Sequence, residues 1–131
     1  MFPHTITIFN VVKKDGKLVY NRTEIDNVFV HIDKIIQKEE NGDKYSSVYD
    51  VILSKEALTN YVSEDEYKAK EDFSDCYTIM KNDIVVIGSF GEISDLNDVQ
   101  RSNSEFFLIR TISDNRYGDE ELQNIEITDW K

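Results

Sequence analysis

The chain has 131 residues, the length of one domain, and carries 26 acidic against 15 basic side chains for a formal charge of −11. That balance opposes binding to nucleic-acid backbones and to anionic membranes, both of which recruit Lys and Arg. Its 40% hydrophobic and 11% aromatic content is enough for a core without staples, and with Cys76 as the single cysteine no internal disulfide can form. The chain is therefore expected to be soluble and suited to a reducing compartment.

The opening, Met1 to Thr7, has neither a basic region nor an apolar core, so it is not read as a signal peptide. No apolar run approaches the roughly 18–20 residues of a membrane-spanning helix. Thr5-Ile6-Thr7-Ile8-Phe9-Asn10 alternates in the period-two pattern of a half-buried strand. Lys14-Asp15-Gly16-Lys17 carries the Asp-Gly hairpin signal, and Leu18 to Thr23 is the returning strand. Asp26-Asn27 is read as a break before a third strand, Val28-Phe29-Val30-His31-Ile32. Lys34 to Ser47 is polar and reads as a loop or a longer hairpin connection. Val48 to Leu53 is a fourth strand, apolar enough to suggest burial on both faces.

The middle of the chain changes character. Ser63-Glu64-Asp65-Glu66 follows the Ser-x-x-Glu capping box and predicts a short helix from Glu64 to Lys70. The acidic stretch from Glu64 to Asp75 reads as an excursion from the sheet. Cys76 to Ile79 resumes a strand, Lys81-Asn82-Asp83 turns, and Ile84-Val85-Val86-Ile87 is the strongest strand signal in the chain. Phe90 to Ser104 is a second excursion, with one helical turn expected near Ser94 to Val99. Glu105 to Ile112 is a long strand, Ser113 to Gly118 a turn-rich link, and Leu122 to Thr128 the closing strand. The expectation is one mostly β domain over residues 1–131, a small β-barrel or sandwich of about seven strands. Two insertions, near 55–76 and 89–104, carry its loops and short helices.

Catalytic chemistry is hard to find. His4 and His31 are the only side chains suited to base catalysis near neutral pH, and neither has a partner pattern. Cys76 sits near Asp72 and Asp75, which disfavour its thiolate. The acidic runs around Asp72 and around Asp114 lack the calcium-loop pattern, and no zinc spacing occurs. Gly88-Ser89-Phe90-Gly91 lacks the Lys-Ser/Thr of a phosphate loop. No catalytic, cofactor or metal residue is assigned, and the chain is not expected to be an enzyme. Five aromatic residues, Tyr61, Tyr67, Phe73, Phe90 and Trp130, are the candidate partner contacts, because aromatics are favoured at interfaces.

Three stretches carry a resemblance. The first is Phe2-Pro3-His4-Thr5-Ile6-Thr7-Ile8-Phe9-Asn10 with Tyr20-Asn21-Arg22-Thr23 and Val28-Phe29-Val30. The second is Lys81-Asn82-Asp83-Ile84-Val85-Val86-Ile87-Gly88. The third is Ile112-Ser113-Asp114-Asn115-Arg116-Tyr117-Gly118 followed by Leu122 to Ile127. Together they resemble the short structural proteins of phages and prophages of the head–tail connector type, the head-closure or minor capsid proteins. The chain ends Asp129-Trp130-Lys131 where that pattern has a glycine-containing tail. The resemblance implies a barrel that assembles as a homo-oligomeric ring at the virion neck. Its partners would be portal, adaptor or tail-terminator proteins. DNA would pass through the ring without being specifically bound, and the protein would sit in host cytoplasm before assembly and in the virion after it. The strong acidity also admits an alternative, a DNA-mimicking inhibitor of a host protein.

Overall fold

The computed structural model describes residues 3–69, 76–102, 104–116 and 123–129. Seven strands and two short helices follow the order β1 (His4–Lys14), β2 (Lys17–Glu39), β3 (Gly42–Ser54), α1 (Glu64–Lys68), β4 (Ile84–Ile87), α2 (Leu96–Gln100), β5 (Phe106–Leu108), β6 (Thr111–Asn115) and β7 (Asn124–Thr128). The strands form one antiparallel sheet in the order β5-β4-β1-β2-β3-β7-β6. This is the mostly β fold expected from the alternation, curled as a half-barrel.

The curl follows from the two outermost strands. β5 and β6 are successive parts of one segment, separated by Ile109 and Arg110 alone. The Ile109 N–H donates to the Asp83 carbonyl at 3.0 Å, just before β4, while the Arg110 N–H donates to Thr128 at the end of β7 at 2.9 Å. One chain segment thus serves both ends of the sheet, which leaves fewer open edges than a flat sheet would.

Inside the curl lies the main core, with Ile6, Ile8, Ile25, Val28, Val51, Leu53, Val85, Phe107, Ile125 and Ile127 turned inward from all layers of the ladder. The opposite face of β1 and β4 is covered too. Phe9, Ile84 and Val86 pack there against Val99 of α2, with Phe90, Ile93 and Leu96 at the margin. The excursion after β4 therefore returns to cap the outside of the sheet. That double burial is the physical reason Ile84 to Ile87 reads as an unbroken apolar run. β3 departs from the expected double burial: it sends Val51 and Leu53 inward and leaves Ile52 half-covered.

Local signals act as their chemistry requires. Asp15 and Gly16 take φ of 53° and 78°, the left-handed pair needed by a tight hairpin turn matched to strand twist. Ser63 caps α1 by accepting the Glu66 N–H at 3.3 Å. Further expectations are corrected. Glu105 to Ile112 is not one strand: it breaks at Ile109 and Arg110 into β5 and β6, and β6 takes in Ser113 to Asn115, which read as a turn-rich link. Asp26-Asn27 does not end a strand: β2 runs through it for 23 residues. Asn27 takes φ 64°, next to the place where β2 passes from pairing with β1 to pairing with β3 at Val28. An Asn tolerates that left-handed kink without ending the ladder. Cys76 to Ile79 is likewise not a full strand. It contributes a single bridge, Tyr61 with Tyr77, and buries Tyr77, Thr78, Ile79 and Met80 across the end of the curl.

Candidate interaction surface

The polar stretch from Lys34 to Ser47 is the tip of a long two-stranded arm. Beyond the Val28–Leu53 pair, β2 and β3 stay in register through Ile32–Tyr49, Lys34–Ser47 and Ile36–Tyr45 to Glu39–Gly42. β1 stops pairing at Val28, and β7 pairs β3 only from Asp50 onward. Past those points no strand among the described residues pairs with either side of the arm. Two side chains finish the ladder where it stops. His4 accepts the Val30 N–H through Nδ1 at 3.1 Å, and Asp129 accepts the Tyr49 N–H at 3.0 Å. Tyr49 also stacks on Phe107, with ring centroids 5.1 Å apart, which pins the root of the arm to the core.

Alternation along β2 puts Val28, Val30, Ile32, Lys34, Ile36 and Lys38 on one face. Val28 is buried, Val30 packs on the core and Ile32 is half-buried, so the apolar stripe of the interior runs out onto the arm. The stripe is interrupted at Lys34; beyond it Ile36 is 58% exposed, while Ile35 on the other face is 42% exposed. Two adjacent isoleucines make both faces of the ribbon apolar at that point. A two-stranded ribbon is only marginally stable on its own in water, and open edges with exposed apolar groups are the features by which strands recruit another chain.

The β1–β2 hairpin also projects. Lys13, Lys14, Asp15, Lys17, Leu18 and Val19 are all exposed, and Lys14 faces Lys17 directly across the ladder.

The aromatic residues singled out from the sequence fall in different surroundings. Tyr67 is fully buried and accepts a hydrogen bond from Asn21 Nδ2 at 2.9 Å; burial pushes its hydroxyl up to about 12. Phe90 is half-buried edge-on to Phe9, with centroids 6.3 Å apart, and its carbonyl accepts from the Arg22 guanidinium. Tyr61 is half-buried beside Tyr77 and lies under the Arg116 guanidinium, 5.0 Å from its ring centroid. Phe73 and Trp130 lie outside the described residues. The structure brings Tyr61, Tyr67 and Phe90 to no common patch. The surface that sequence reasoning missed is the arm, whose signal was the pair Ile35-Ile36 inside a polar stretch.

One buried polar cluster stands apart. Asp83, 2% exposed, accepts from Asn10 Nδ2 at 2.8 Å and from the Val11 N–H at 3.1 Å. Asn10 in turn donates to the Thr78 carbonyl and accepts the Thr78 N–H. Burial pushes the Asp83 carboxyl up to about 6, against the pull of its Asn10 and backbone hydrogen bonds. The cluster ties β1 to the turn before β4. Elsewhere, the carboxyl of Glu126 is raised chiefly by its hydrogen bond with Asp50 on the neighbouring strand. Among the described residues, no group of three or more His, Cys, Asp or Glu side chains is arranged to hold a metal ion. No helix there is long and apolar enough to cross a membrane.

The fold is thus that of a mostly β protein, a curled antiparallel sheet with two projecting hairpins that leave Leu18, Val19, Ile35 and Ile36 exposed. The chain belongs to a family of unknown function, DUF6751, whose pattern matches residues 1–128. No curated protein and no solved structure matches it.

Proposed function

We propose that the protein is a structural assembly component rather than an enzyme, and that it docks on partner proteins through the β2–β3 arm. The observation that carries this reading is the pair of exposed isoleucines, Ile35 and Ile36, on opposite faces of an arm that projects beyond its neighbouring strands. The finer reading places it in a phage neck as a head-closure or minor capsid protein, assembled as a ring with portal, adaptor or tail-terminator proteins. Its support is the resemblance of three sequence stretches to that class, together with a small barrel-like body bearing extensions. An acidic exterior would also discourage passing DNA from adhering.

The test is co-expression with the portal-, adaptor- and tail-terminator-type proteins encoded beside its gene, followed by affinity capture and sizing. The expected result is a complex that forms with the native chain and is lost with I35S/I36S, while the variant's melting curve stays within a few degrees of native. A complex that survives that double substitution removes the arm from the reading. Absence of such genes, combined with inhibition of a purified nuclease, would replace the connector reading with the DNA-mimic alternative.

A further inference from the structure

The tip of the β1–β2 hairpin departs from the chemistry of the rest of the chain. Lys13, Lys14 and Lys17 against Asp15 alone leave this tip at +2. The remainder, with 12 basic and 25 acidic side chains, stands at −13. None of the three lysines forms an ion pair among the described residues, although acids outnumber bases nearly two to one in the chain. Lys14 and Lys17 are moreover direct cross-strand partners, an arrangement that destabilises a hairpin. A substitution as simple as Lys to Glu at either position would relieve it. Beside the lysines, Leu18 is 58% exposed and Val19 also reaches solvent. The tip is thus a cationic knob with an apolar flank, held at a local cost to the hairpin; local rules broken in this way mark functional surfaces.

From these observations we infer that the β1–β2 tip docks on the acidic surface of a second copy of this chain, at the first turn of α1. Glu64, Asp65 and Glu66 there form the longest run of consecutive exposed acids among the described residues. α1 is held beside the base of the same hairpin by the hydrogen bond from Asn21 to Tyr67, and the tip at Leu18 reaches about 10 Å beyond that anchor at 3.3–3.4 Å per residue. Donor and acceptor patches therefore lie at one end of the molecule, so copies placed side by side bring the tip of one to the α1 turn of the next. The contact is between unlike patches, which gives a ring where the rotation between copies closes and an open filament where it does not. Net repulsion between two copies at −11 is weakened at 0.15 M salt, where charges more than about 8 Å apart are largely screened. Charges in contact still act. The apolar flank favours a protein acceptor over a phosphate backbone, which offers Leu18 and Val19 nothing to bury against. This contact is separate from the β2–β3 arm and holds or fails without the virion reading.

The test uses sedimentation equilibrium of the full chain at 0.15 M salt, from micromolar to millimolar concentration. Native protein is expected to self-associate. K14E/K17E keeps a like-charge pair across the hairpin, and so a native-like melting curve, but should weaken association by about ten-fold or more, the scale of a close interfacial charge pair. K14E alone should raise the melting temperature while also weakening association, a combination that a merely structural lysine does not produce. Mixing K14E/K17E with D65K/E66K should restore mixed oligomers. The inference is overturned by a monomeric native chain, by association that K14E/K17E leaves unchanged, or by failure of the mixed pair to associate. It is equally overturned if the native chain stays monomeric and its tip binds phosphatidylserine vesicles or duplex DNA instead.

Discussion

Asp83 makes stability depend on pH in a way that can be isolated. Its carboxyl is raised from 3.8 to about 6, first by burial. The native state therefore holds this proton more tightly than the unfolded chain does. Between about pH 4 and pH 6 the native state binds more protons at this site, so its contribution to stability falls as pH rises. Below that window the contribution is constant, and above it the full cost of a buried charge is present. A shift of about two units corresponds to about 3 kcal/mol at 1.36 kcal/mol per unit. Asp114, Asp98 and Glu56 are lowered instead and act with the opposite slope, so the native curve alone mixes signs. The D83N variant removes only the Asp83 term. Its amide would face the Asn10 amide, whose orientation is fixed by Thr78, which adds a constant offset but no slope. Urea unfolding of both proteins from pH 3.5 to 7 should show native stability dropping relative to D83N by about 3 kcal/mol across pH 4–6. A flat difference, or one rising with pH, would refute the reading that burial outweighs the hydrogen bonds to this carboxylate.

Other substitutions separate the body from its extensions. Ile8→Ala empties a fully buried core position and should cost about 2–5 kcal/mol. Ile36→Ala, on the exposed arm, should shift stability by no more than about 0.5 kcal/mol; paired thermal melts measure both. Tyr67→Phe leaves Asn21 without the acceptor it uses in the fold and should lower stability by about 1–2 kcal/mol in urea titration. An unchanged midpoint would mean that the hydroxyl contributes nothing there.

The body was legible in the sequence where a buried face imposed period two, as in Asn124 to Thr128; Thr5 to Asn10 was legible as a strand, but its half-buried pattern was not, since both of its faces are buried. Turn and cap signals worked where one residue type satisfies a backbone need, as at Asp15-Gly16 and Ser63. Legibility failed where tertiary context decided. Asp26-Asn27 reads as a terminator, yet neighbouring strands on both sides carry β2 through it. The arm from Lys34 to Ser47 lies away from the core, so no buried face stamps alternation on it, and only Ile35-Ile36 betrays it. The Asn10–Thr78–Asp83 cluster joins positions 68 and 73 residues apart, which no local pattern encodes. The aromatic residues were chosen as contacts by type alone. Type cannot tell a ring that anchors an insertion, as Phe90 does on Phe9, from one left at the surface.

The shared segment from Phe106 to Asn115 has a consequence for biosynthesis. β1, β2 and β3 are joined by two tight hairpins and can pair as soon as they are made. The other strands cannot finish the sheet until this late segment has met both β4 and β7. A nascent chain that has reached only β4 therefore carries a four-stranded sheet whose edges, β4 and β3, still await β5 and β7, and unpaired edges are what neighbouring polypeptides seize. The segment from Phe106 to Asn115 acts as a clasp, and the interval before it closes is when the protein is most exposed to misassembly.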